Sequence, residues 1–580
     1  MNYLLAFVIA FSTCLSFSQT NILSTNHTAE EVMLGQYDPS NYTATTIIDD
    51  HDAIIQGIEN EVNPDSLKSY IIKLSEFKNR NTGSDTISST TGIGAARRWG
   101  YSKFQEFSAQ NENRLLVSYL QFDRPICYYG QHRNVFAVLP GTNKEDNKVI
   151  IIEGHLDSRC DGVCDTACVA EGIEDNASGS ALVLELARVM SKYTYKNTIV
   201  FMLTIGEEQG LFGADAFSQY AVDNGMQIEA VLNNDVIGGI ICGETSSGPS
   251  CPGLDHIDST QVRFFSNGGY NSSHKQLARF VKLEYQEELE PIVDVPMMLT
   301  IMTNEDRVGR GGDHIPFRQD GFAAMRFTSA NEHGDASNGT GYNDRQHTSN
   351  DVLGVDTNSD MSIDSFFVDF NYLARNAVIN GIGASMIAIG PQTPDFVFSS
   401  NNDPNPEITV QITDQTQYGT YRLALRTTTN DWDTVYTFSG LTTTINPPVE
   451  NFYLISVASV DSVGIESLFS REEFIDFDEL SIAEIENKQG LPLELLQNKP
   501  NPFDESTLIT VRSLEKLDYQ EAFIVIRDVQ GKEVERIPID LTAEINEVTY
   551  QHGYGKTGIF IYSLIVDQQE IASKRMIFAN

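Results

Sequence analysis

The stretch that decides the fold is VIIIEGHLDS, residues 149–158. Its first four residues are continuously apolar and β-branched, which is typical of a strand buried on both faces of a sheet. His155 and Asp157 follow at the carboxyl end of this run, and alternation along an extended chain points both side chains the same way. A buried strand that ends in an imidazole and a carboxylate favours an α/β fold with a polar site at the strand ends.

The sequence around this stretch repeats the pattern. Four further short apolar runs have the character of buried strands: Asn134–Leu139, Ile199–Leu203, Ala230–Leu232 and Ala323–Phe327. Within Ser180–Tyr193 the apolar residues are spaced 3, 1 and 3 apart, which predicts a helix that covers the sheet. The expected fold class is therefore α/β, with a mostly parallel central sheet flanked by helices. In such sheets ligands bind beyond the carboxyl ends of the strands.

Metal-competent side chains follow these expected strands in five short segments: GHLDS (154–158), EDNASG (174–179), IGEEQG (205–210), NND (233–235) and QHT (346–348). Each has an ordinary explanation by itself, such as a hydrogen-bonded structural histidine, a helix cap or a solvated acidic edge. Together they indicate a metal site, because imidazole and carboxylate oxygen suit zinc and one carboxylate can hold two cations. In the pair Glu207-Glu208 one carboxylate can ligate while the other accepts a proton.

Six blocks in a fixed order carry a family resemblance: GHLDS, EDNASGSA, TIGEEQGLFGADAF, NNDVIG, GGDHIPFRQDGF and HTSND. They resemble the co-catalytic zinc aminopeptidases, the group of bacterial leucine aminopeptidases and their secreted relatives. The resemblance spans about Asn63–Ile387. It implies a zinc exopeptidase-like fold, two zinc ions and peptide substrates whose N-terminal residue is removed.

The same resemblance assigns roles to single residues. It implies five metal ligands, with one carboxylate shared between two zinc ions: Asp175 as the shared ligand, His155 and Asp235 on one ion, Glu208 and His347 on the other. Two residues would be catalytic, Glu207 as the general base and Asp157 as the partner that orients His155. His314 in GGDH lies in a retained block but is not counted as a ligand. Cobalt or manganese would satisfy similar ligands.

Three other functions stay open. Glutaminyl cyclases share this scaffold and its glutamate pair, although GEEQGLFGADAF resembles the hydrolase form more closely. A carboxypeptidase of the same family differs in the cleft that selects a peptide terminus, which the sequence does not reveal. A non-catalytic receptor-like relative is disfavoured because all five ligands are present. The cysteine-bearing insert Arg159–Cys168 departs from the family pattern, and we expect it to reshape the substrate cleft.

The amino-terminal residues and the overall charge indicate export and exclude one class of partner. Residues 1–18, MNYLLAFVIAFSTCLSFS, form a short apolar run with a small-x-small ending, which predicts a cleaved signal peptide although no Lys or Arg precedes it. No later stretch has eighteen uninterrupted apolar residues, so no transmembrane segment is expected after cleavage. Asp and Glu total 80 against 39 Lys and Arg, a net charge of −41. Such a field repels phosphate backbones, so nucleic acid is an unsuitable partner.

Cysteine usage fits an oxidising compartment. Cys14 lies in the signal peptide, and six cysteines follow it: Cys127, Cys160, Cys164, Cys168, Cys242 and Cys251. An even number in an exported chain predicts three disulfides, of which only Cys242–Cys251 follows from closeness in sequence. A soft metal site at Cys160, Cys164 and Cys168 is the alternative.

The remaining segments suggest the domain organisation. Residues 19–62 are polar, which predicts a loosely attached leader or possible propeptide. The catalytic domain is expected at 63–387. Residues 391–470 alternate like a β-sandwich, and YLISVASVDSVGIES (453–467) resembles the closing strands of a fibronectin type III module. An acidic linker, 471–490, follows.

The last segment, 491–580, is expected to form a second small all-β domain. Its LQNKPNPF (496–503), GIFIY (558–562) and KRM (574–576) resemble the C-terminal sorting domain of the type IX secretion system of the Bacteroidetes. That resemblance implies the type IX secretion machinery as a partner. It also implies a secreted or cell-surface location, reached through the periplasm of a Gram-negative bacterium. A carbohydrate- or surface-binding β module is the alternative.

Overall fold

The short apolar runs form the centre of a nine-stranded sheet. Its strands are β1 (Thr20–Ser24), β2 (Leu116–Ile126), β3 (Tyr129–Leu139), β4 (Val149–His155), β5 (Thr198–Thr204), β6 (Ile228–Asn234), β7 (Gln261–Phe265), β8 (Met298–Ile301) and β9 (Ala324–Ser329). They lie in the order β1-β2-β3-β5-β4-β6-β9-β7-β8. The five predicted runs correspond to β3, β4, β5, β6 and β9, and these predictions are confirmed.

Pairing within the sheet is mixed. β5, β4, β6 and β9 are parallel neighbours, and β7 is parallel to β8. The β1-β2-β3-β5 side and the β7–β9 contact are antiparallel. The α/β class is confirmed, while the expectation of a mostly parallel sheet holds only for the centre. Antiparallel pairs on the β1 side arise because the β2–β3 hairpin extends the sheet there.

Helices bury this sheet and separate most of its strands. They are α1 (His27–Met33), α2 (His51–Glu61), α3 (Pro64–Ser75), α4 (Gly92–Gln110), α5 (Ser178–Met190), α6 (Phe212–Asn224), α7 (Ser273–Glu284), α8 (His314–Gln319) and α9 (Phe370–Ile389). The predicted covering helix is α5, which begins two residues and ends three residues before the predicted bounds. Every residue of β4 and β5 is buried, as expected for strands covered on both faces.

The computed structural model describes the chain except residues 1–18, 242–256, 308–309, 331–344, 402–404, 428, 449–451, 478–490, 504, 515–516, 518, 529–530, 544, 553–557 and 580. The predicted signal peptide and the predicted Cys242–Cys251 pair therefore lie outside the described residues. Among the helices that are described, none combines the length and apolar character needed to cross a membrane.

The segment 19–62 differs from the expected loose leader. β1 pairs antiparallel with β2, with Ser24 opposite Leu120. Residues of α1 and α2 belong to the main apolar core, among them Val32 and Ile54, both fully buried. The sequence pattern was too short to reveal this, because each helix contributes only three buried residues.

Two small all-β units follow α9. In the first, the sheets are β12-β13-β16 and β15-β14-β17-β18, with strands β12 (Phe396–Asn401), β13 (Glu407–Ile412), β14 (Thr420–Arg426), β15 (Thr434–Ser439), β16 (Thr442–Ile445), β17 (Phe452–Val460) and β18 (Glu473–Asp476). A short ribbon, β10 (Gly354–Val355) and β11 (Ser365–Phe366), precedes α9. β18 lies inside the predicted acidic linker, because Ile475 and Phe477 complete the apolar core of this unit.

The second unit has the same three-plus-four arrangement. Its sheets are β19-β20-β23 and β22-β21-β24-β25, with strands β19 (Leu493–Leu495), β20 (Ser506–Ser513), β21 (Ala522–Asp528), β22 (Glu533–Pro538), β23 (Ile545–Gln551), β24 (Gly558–Val566) and β25 (Gln569–Phe578). Both units have antiparallel sheets and separate apolar cores. Two small all-β units after the α/β domain agree with the predicted fold class.

Two disulfides hold the insert between β4 and α5. Cys160 bonds to Cys168 within the insert, and Cys164 bonds to Cys127 at the β2–β3 turn. The alternative of a soft metal site at Cys160, Cys164 and Cys168 is therefore wrong, since all three sulfurs are bonded to another cysteine.

Candidate metal centre

His155 is the last residue of β4, and its side chain is fully buried. Its Nδ1 lies 3.1 Å from the backbone oxygen of Asp157 and 3.6 Å from the Asp157 carboxylate. That carboxylate also accepts hydrogen bonds from the Thr82 hydroxyl and from the backbone N–H of Glu208. Asp157 thus orients the buried imidazole of His155, and the Nε2 atom of this ring faces the strand ends.

Asp175 lies in the turn Ile173–Ala177, immediately before α5. The peptide bond from Asp175 to Asn176 is cis. The Asn176 side chain donates to the backbone oxygen of Asn234 at the end of β6 and accepts the N–H of Gly179 in α5. These bonds tie the turn to the neighbouring strand and helix, and they place the Asp175 carboxylate over the strand ends.

The other carboxylates follow the two strands that flank β4. After β5 the chain turns at Gly206, whose φ of +76° lies in the left-handed region that favours glycine, and Glu207 and Glu208 come next. Asp235 directly follows β6. Because β5 and β6 are both parallel neighbours of β4, their carboxyl ends meet beside His155.

His347 comes from a loop outside the sheet. Its Nε2 lies 3.0 Å from an oxygen of Asp175 and 3.1 Å from an oxygen of Glu208. Four residues later, the two oxygens of the Asp351 carboxylate accept the backbone N–H groups of Glu174 and Asp175 at 2.9 and 3.0 Å. The loop that carries His347 is therefore fastened to the turn that carries Asp175.

These side chains form two adjacent clusters, in each of which the candidate ligand atoms lie within 4.8 Å of one another: His155, Glu207 and Asp235 in one, and Asp175, Glu208 and His347 in the other. The Asp175 carboxylate joins them, with Oδ1 3.1 Å from His155 Nε2 and Oδ2 3.0 Å from His347 Nε2. Imidazole nitrogens and carboxylate oxygens gathered in this way are the donor set that zinc prefers. His314 belongs to neither cluster, since its Nε2 faces the backbone oxygen of Glu305.

The charges of these groups depend strongly on one another. Burial alone would raise the pKa of Asp175, but hydrogen bonds with the two imidazoles hold it well below its usual value. Burial would lower the pKa of His347, yet Glu208 and Asp175 raise it to about 9. Burial raises the pKa of Glu207 well above its usual value, and nearby carboxylates add to that effect while His155 opposes it. Raised pKa values of this kind suit a carboxyl that exchanges protons during catalysis.

Several residues at the site were not identified from the sequence. Arg326, buried in β9, holds Asp235 at 3.2 Å and Asp306 at 2.7 Å. A charged residue inside an apolar strand was the available signal, since a buried guanidinium needs a carboxylate partner. Asp351 is the last residue of the sequence block HTSND, in which only His347 was predicted to have a function. Arg159, at the start of the insert, donates through Nε to Glu208 at 2.7 Å.

An open cleft with a volume of about 310 Å³ lies over both clusters. Four carboxylates, four arginines and one imidazole line this cleft. They are Asp175, Glu207, Glu208 and Asp235, then Arg159, Arg307, Arg310 and Arg326, and His347. The remaining lining residues are Gly210, Leu211, Val236, Gly311 and Gln346. No residue of segment 19–62 is part of this lining as described.

Comparison with known proteins gives matches over the same region. Residues 134–363 match Peptidase family M28. A probable zinc metalloprotease of Leptosphaeria maculans is 30% identical over 434 residues, which cover 71% of this chain and 94% of the relative. One from Pyricularia oryzae is 31% identical over 59% of this chain and 67% of the relative. Among solved structures, the Legionella pneumophila LapA aminopeptidase aligns with a TM-score of 0.42 and 16% identity, over 60% of this chain and 78% of LapA.

Proposed function

Because the chain belongs to peptidase family M28, we propose that it is a zinc-dependent aminopeptidase that removes N-terminal residues from peptides. Similar fungal proteins are probable zinc metalloproteases. The observation that carries the proposal is the Asp175 carboxylate, which presents one oxygen to His155 and the other to His347. A carboxylate in this position suits a pair of divalent cations that share one ligand.

Five residues would hold the two ions: His155 and Asp235 one of them, Glu208 and His347 the other, and Asp175 both. Zinc bound there lowers the pKa of a coordinated water and polarises a substrate carbonyl. Asp157 keeps the His155 imidazole in position through the contacts at Nδ1. Loss of Asp157 is therefore expected to weaken metal binding at this cluster first.

Glu207 is the proposed general base. Its carboxyl lies in the cleft beside His155 and Asp235, and burial raises its pKa. It takes a proton from the attacking water and later gives that proton to the leaving amine. The bond that breaks is the first peptide bond of the substrate, and the products are a free amino acid and the shortened peptide.

The test is hydrolysis of aminoacyl-p-nitroanilides by the purified protein, with N-acetylated substrates as controls. We expect release from free amines alone, loss of activity on chelation and recovery when zinc is restored. The variant Glu207→Gln should lose at least about a hundredfold in kcat while it keeps two zinc ions per chain. Asp175→Asn should lose zinc, because it removes the charge shared by both ions.

The same panel decides among the alternatives. Activity on N-acetylated peptides with a free carboxyl end would replace the aminopeptidase with a carboxypeptidase. Pyroglutamate formed from a peptide with an N-terminal Gln would replace it with a glutaminyl cyclase. Two zinc ions bound without any turnover would favour a non-catalytic relative, and loss of zinc from Glu207→Gln would mean that base and ligand are wrongly assigned.

We also propose that the protein is exported, with residues 1–18 as a signal peptide, 391–470 as a fibronectin type III-like unit and 491–580 as a type IX sorting domain. Two disulfides fit an oxidising compartment. In a type IX-competent host, deletion of 491–580 should leave peptidase activity intact and trap the protein in the periplasm. Normal secretion of the shortened chain would contradict the sorting role.

A further inference from the structure

A second cavity, with a volume of about 230 Å³, shares no lining residue with the cleft over the metal centre. It lies where α9, the α2–α3 junction and the segment between α7 and β8 meet. Three charged side chains line it: Glu59 of α2, Asp294 of the segment after α7, and Arg375 of α9. The proposed hydrolysis uses none of these residues, so the cavity is a separate feature of the α/β domain.

Most of the wall of this cavity is apolar. Its buried aliphatic and thioether side chains are Val62, Leu289, Met297, Ala374, Val378 and Ile379. An apolar cavity of roughly 150 Å³ is large enough to hold a benzene molecule. The cavity beside α9 is therefore large enough for one apolar side chain of about the size of leucine.

Hydrogen bonds fix the part of the wall that comes from the segment after α7. The hydroxyl of Tyr285 accepts the backbone N–H of Met297. The backbone oxygen of Leu289 accepts the N–H groups of Ile292 and Val293 at 3.0 and 3.2 Å. A wall held in this way does not have to become ordered when a ligand binds, which favours affinity.

The charged groups of the cavity are of both signs. The Nη2 atom of Arg375 donates to the backbone oxygen of Ser259 at 2.7 Å, and its buried Nε has no hydrogen-bond acceptor among the described residues. Within the described part of the chain, neither Glu59 nor Asp294 forms an ion pair with this guanidinium. One positive group and two negative groups thus border the same apolar wall.

This combination restricts the chemistry of a ligand. A guanidinium binds a carboxylate through charge-assisted hydrogen bonds, and a carboxylate binds an ammonium group in the same way. A simple fatty acid would place its carboxylate near Glu59 and Asp294, and like charges repel. An apolar amine would be repelled by Arg375 for the same reason. A ligand that carries both charges next to an apolar group satisfies all parts of the cavity.

We propose that this cavity binds a free α-amino acid with an apolar side chain, such as leucine. The side chain occupies the apolar wall, the α-carboxylate faces Arg375, and the α-ammonium group faces Glu59 and Asp294. The site goes beyond the proposed function and does not depend on it, although the proposed hydrolysis releases ligands of this class.

The test is calorimetric titration of the zinc-loaded full chain with L-leucine. Leucinamide lacks the carboxylate, 4-methylpentanoate lacks the ammonium group, and glycine lacks the apolar side chain. We expect L-leucine to bind at least about tenfold more tightly than each of these, because each loses one contact.

Variants assign the bound leucine to this cavity and not to the cleft over the metal centre. Arg375→Gln should weaken leucine binding at least about tenfold, since it removes the charge that faces the carboxylate. Ala374→Phe should abolish binding at this site, because the ring fills the cavity. Both variants should keep the zinc content of the parent protein.

Arg512→Gln is the matched control, because Arg512 is an exposed arginine paired with Glu494 in the last β unit. It should bind leucine as the parent protein does. Circular dichroism and Tm verify that each variant is folded. Glu59→Gln and Asp294→Asn provide the same test without a change in the apolar wall, and together they should weaken leucine binding at least about tenfold.

The outcomes distinguish this site from the proposed function. Leucine binding that Arg375→Gln and Ala374→Phe leave unchanged would belong to the cleft and would overturn the proposal. Binding of 4-methylpentanoate as tight as that of leucine would also overturn it, because the ammonium group would then contribute nothing. Leucine binding that needs Arg375, in a protein that cleaves no aminoacyl substrate, would support this site and reject the aminopeptidase.

Discussion

At the scale of single residues, two buried carboxyl groups meet where α7 approaches the first β unit. Glu284 and Glu466 line one cavity together with Arg422. Burial raises the pKa of Glu284 well above its usual value, and Glu466 adds to the effect. Burial also raises the pKa of Glu466 to about 7, against the opposing charge of Arg422. The folded protein therefore binds protons here that the unfolded chain releases at lower pH.

This linkage predicts a fall in stability as pH rises. Between the ordinary carboxyl value near 4.5 and about pH 7 or above, the folded state holds more protons, so the free energy of unfolding decreases with pH. Glu284→Gln stays neutral and can donate to Glu466. We expect its Tm to equal that of the parent at pH 5 and to exceed it by about 2–4 °C at pH 8, as scanning calorimetry would measure.

Glu290→Gln is the control, because Glu290 is exposed and lies six residues after Glu284. The Tm of this variant should equal that of the parent protein at pH 5 and at pH 8. An equal loss of Tm with pH in Glu284→Gln and the parent would mean that this carboxyl pair does not set the pH dependence.

At the scale of elements, the segment 19–62 is part of the fold. β1 extends the central sheet, and α2 packs against α5 and α9. A chain that begins at residue 63 would expose the core around Val32, Ile54 and Ile58. We expect a markedly lower yield of soluble protein and a lower Tm, without activation. Ile54→Ala alone should cost about 2–4 kcal/mol in the free energy of unfolding.

Ile47→Ala is the matched substitution at an exposed position of the same segment, and it should leave the free energy of unfolding nearly unchanged. Higher peptidase activity after removal of 19–62, with an unchanged Tm, would instead support an inhibitory propeptide.

The two disulfides differ in the length of chain that they enclose. Cys127–Cys164 spans 37 residues and Cys160–Cys168 spans 8. Loop-closure entropy grows with loop length, so Cys127→Ser with Cys164→Ser should cost more stability, about 3–4 kcal/mol, than the double replacement of Cys160 and Cys168. Urea unfolding of both double variants measures the order. A larger loss from the shorter loop would show that contacts inside the insert, and not chain entropy, dominate.

At the scale of the whole molecule, a buried ion cluster joins the α/β domain to the first β unit. Glu472 lies 3.2 Å from Arg279 of α7 and accepts from Arg426 of β14 at 2.8 Å. It also accepts the backbone N–H of Asn271 at 2.9 Å. All three charged side chains are buried, so the two guanidinium groups depend on this carboxylate.

Glu472→Gln should therefore weaken the attachment of this unit by about 3–5 kcal/mol, because it leaves buried positive charge without its carboxylate. We expect the β unit of this variant to unfold at a lower temperature than the α/β domain in calorimetry, and to become sensitive to protease before that domain. Glu494→Gln, an exposed member of a surface ion pair, is the control and should change neither readout. If Glu472→Gln unfolds with the same calorimetric profile as the parent protein, apolar contacts and not this ion cluster hold the β unit to the α/β domain.

The sequence by itself determined the central strands, the covering helix α5 and the polar residues that follow each strand. These depend on local patterns: continuous apolar runs, a helical spacing, and a motif directly after a strand. Only the tertiary structure decided how the sheet is paired, that 19–62 joins it, and which cysteines bond. It also decided that β18 lies in the predicted linker and that Arg159, Arg310 and Arg326 reach the cleft. Such outcomes require contacts between residues distant in the chain, and no local pattern specifies the partner of a buried charge or a cysteine.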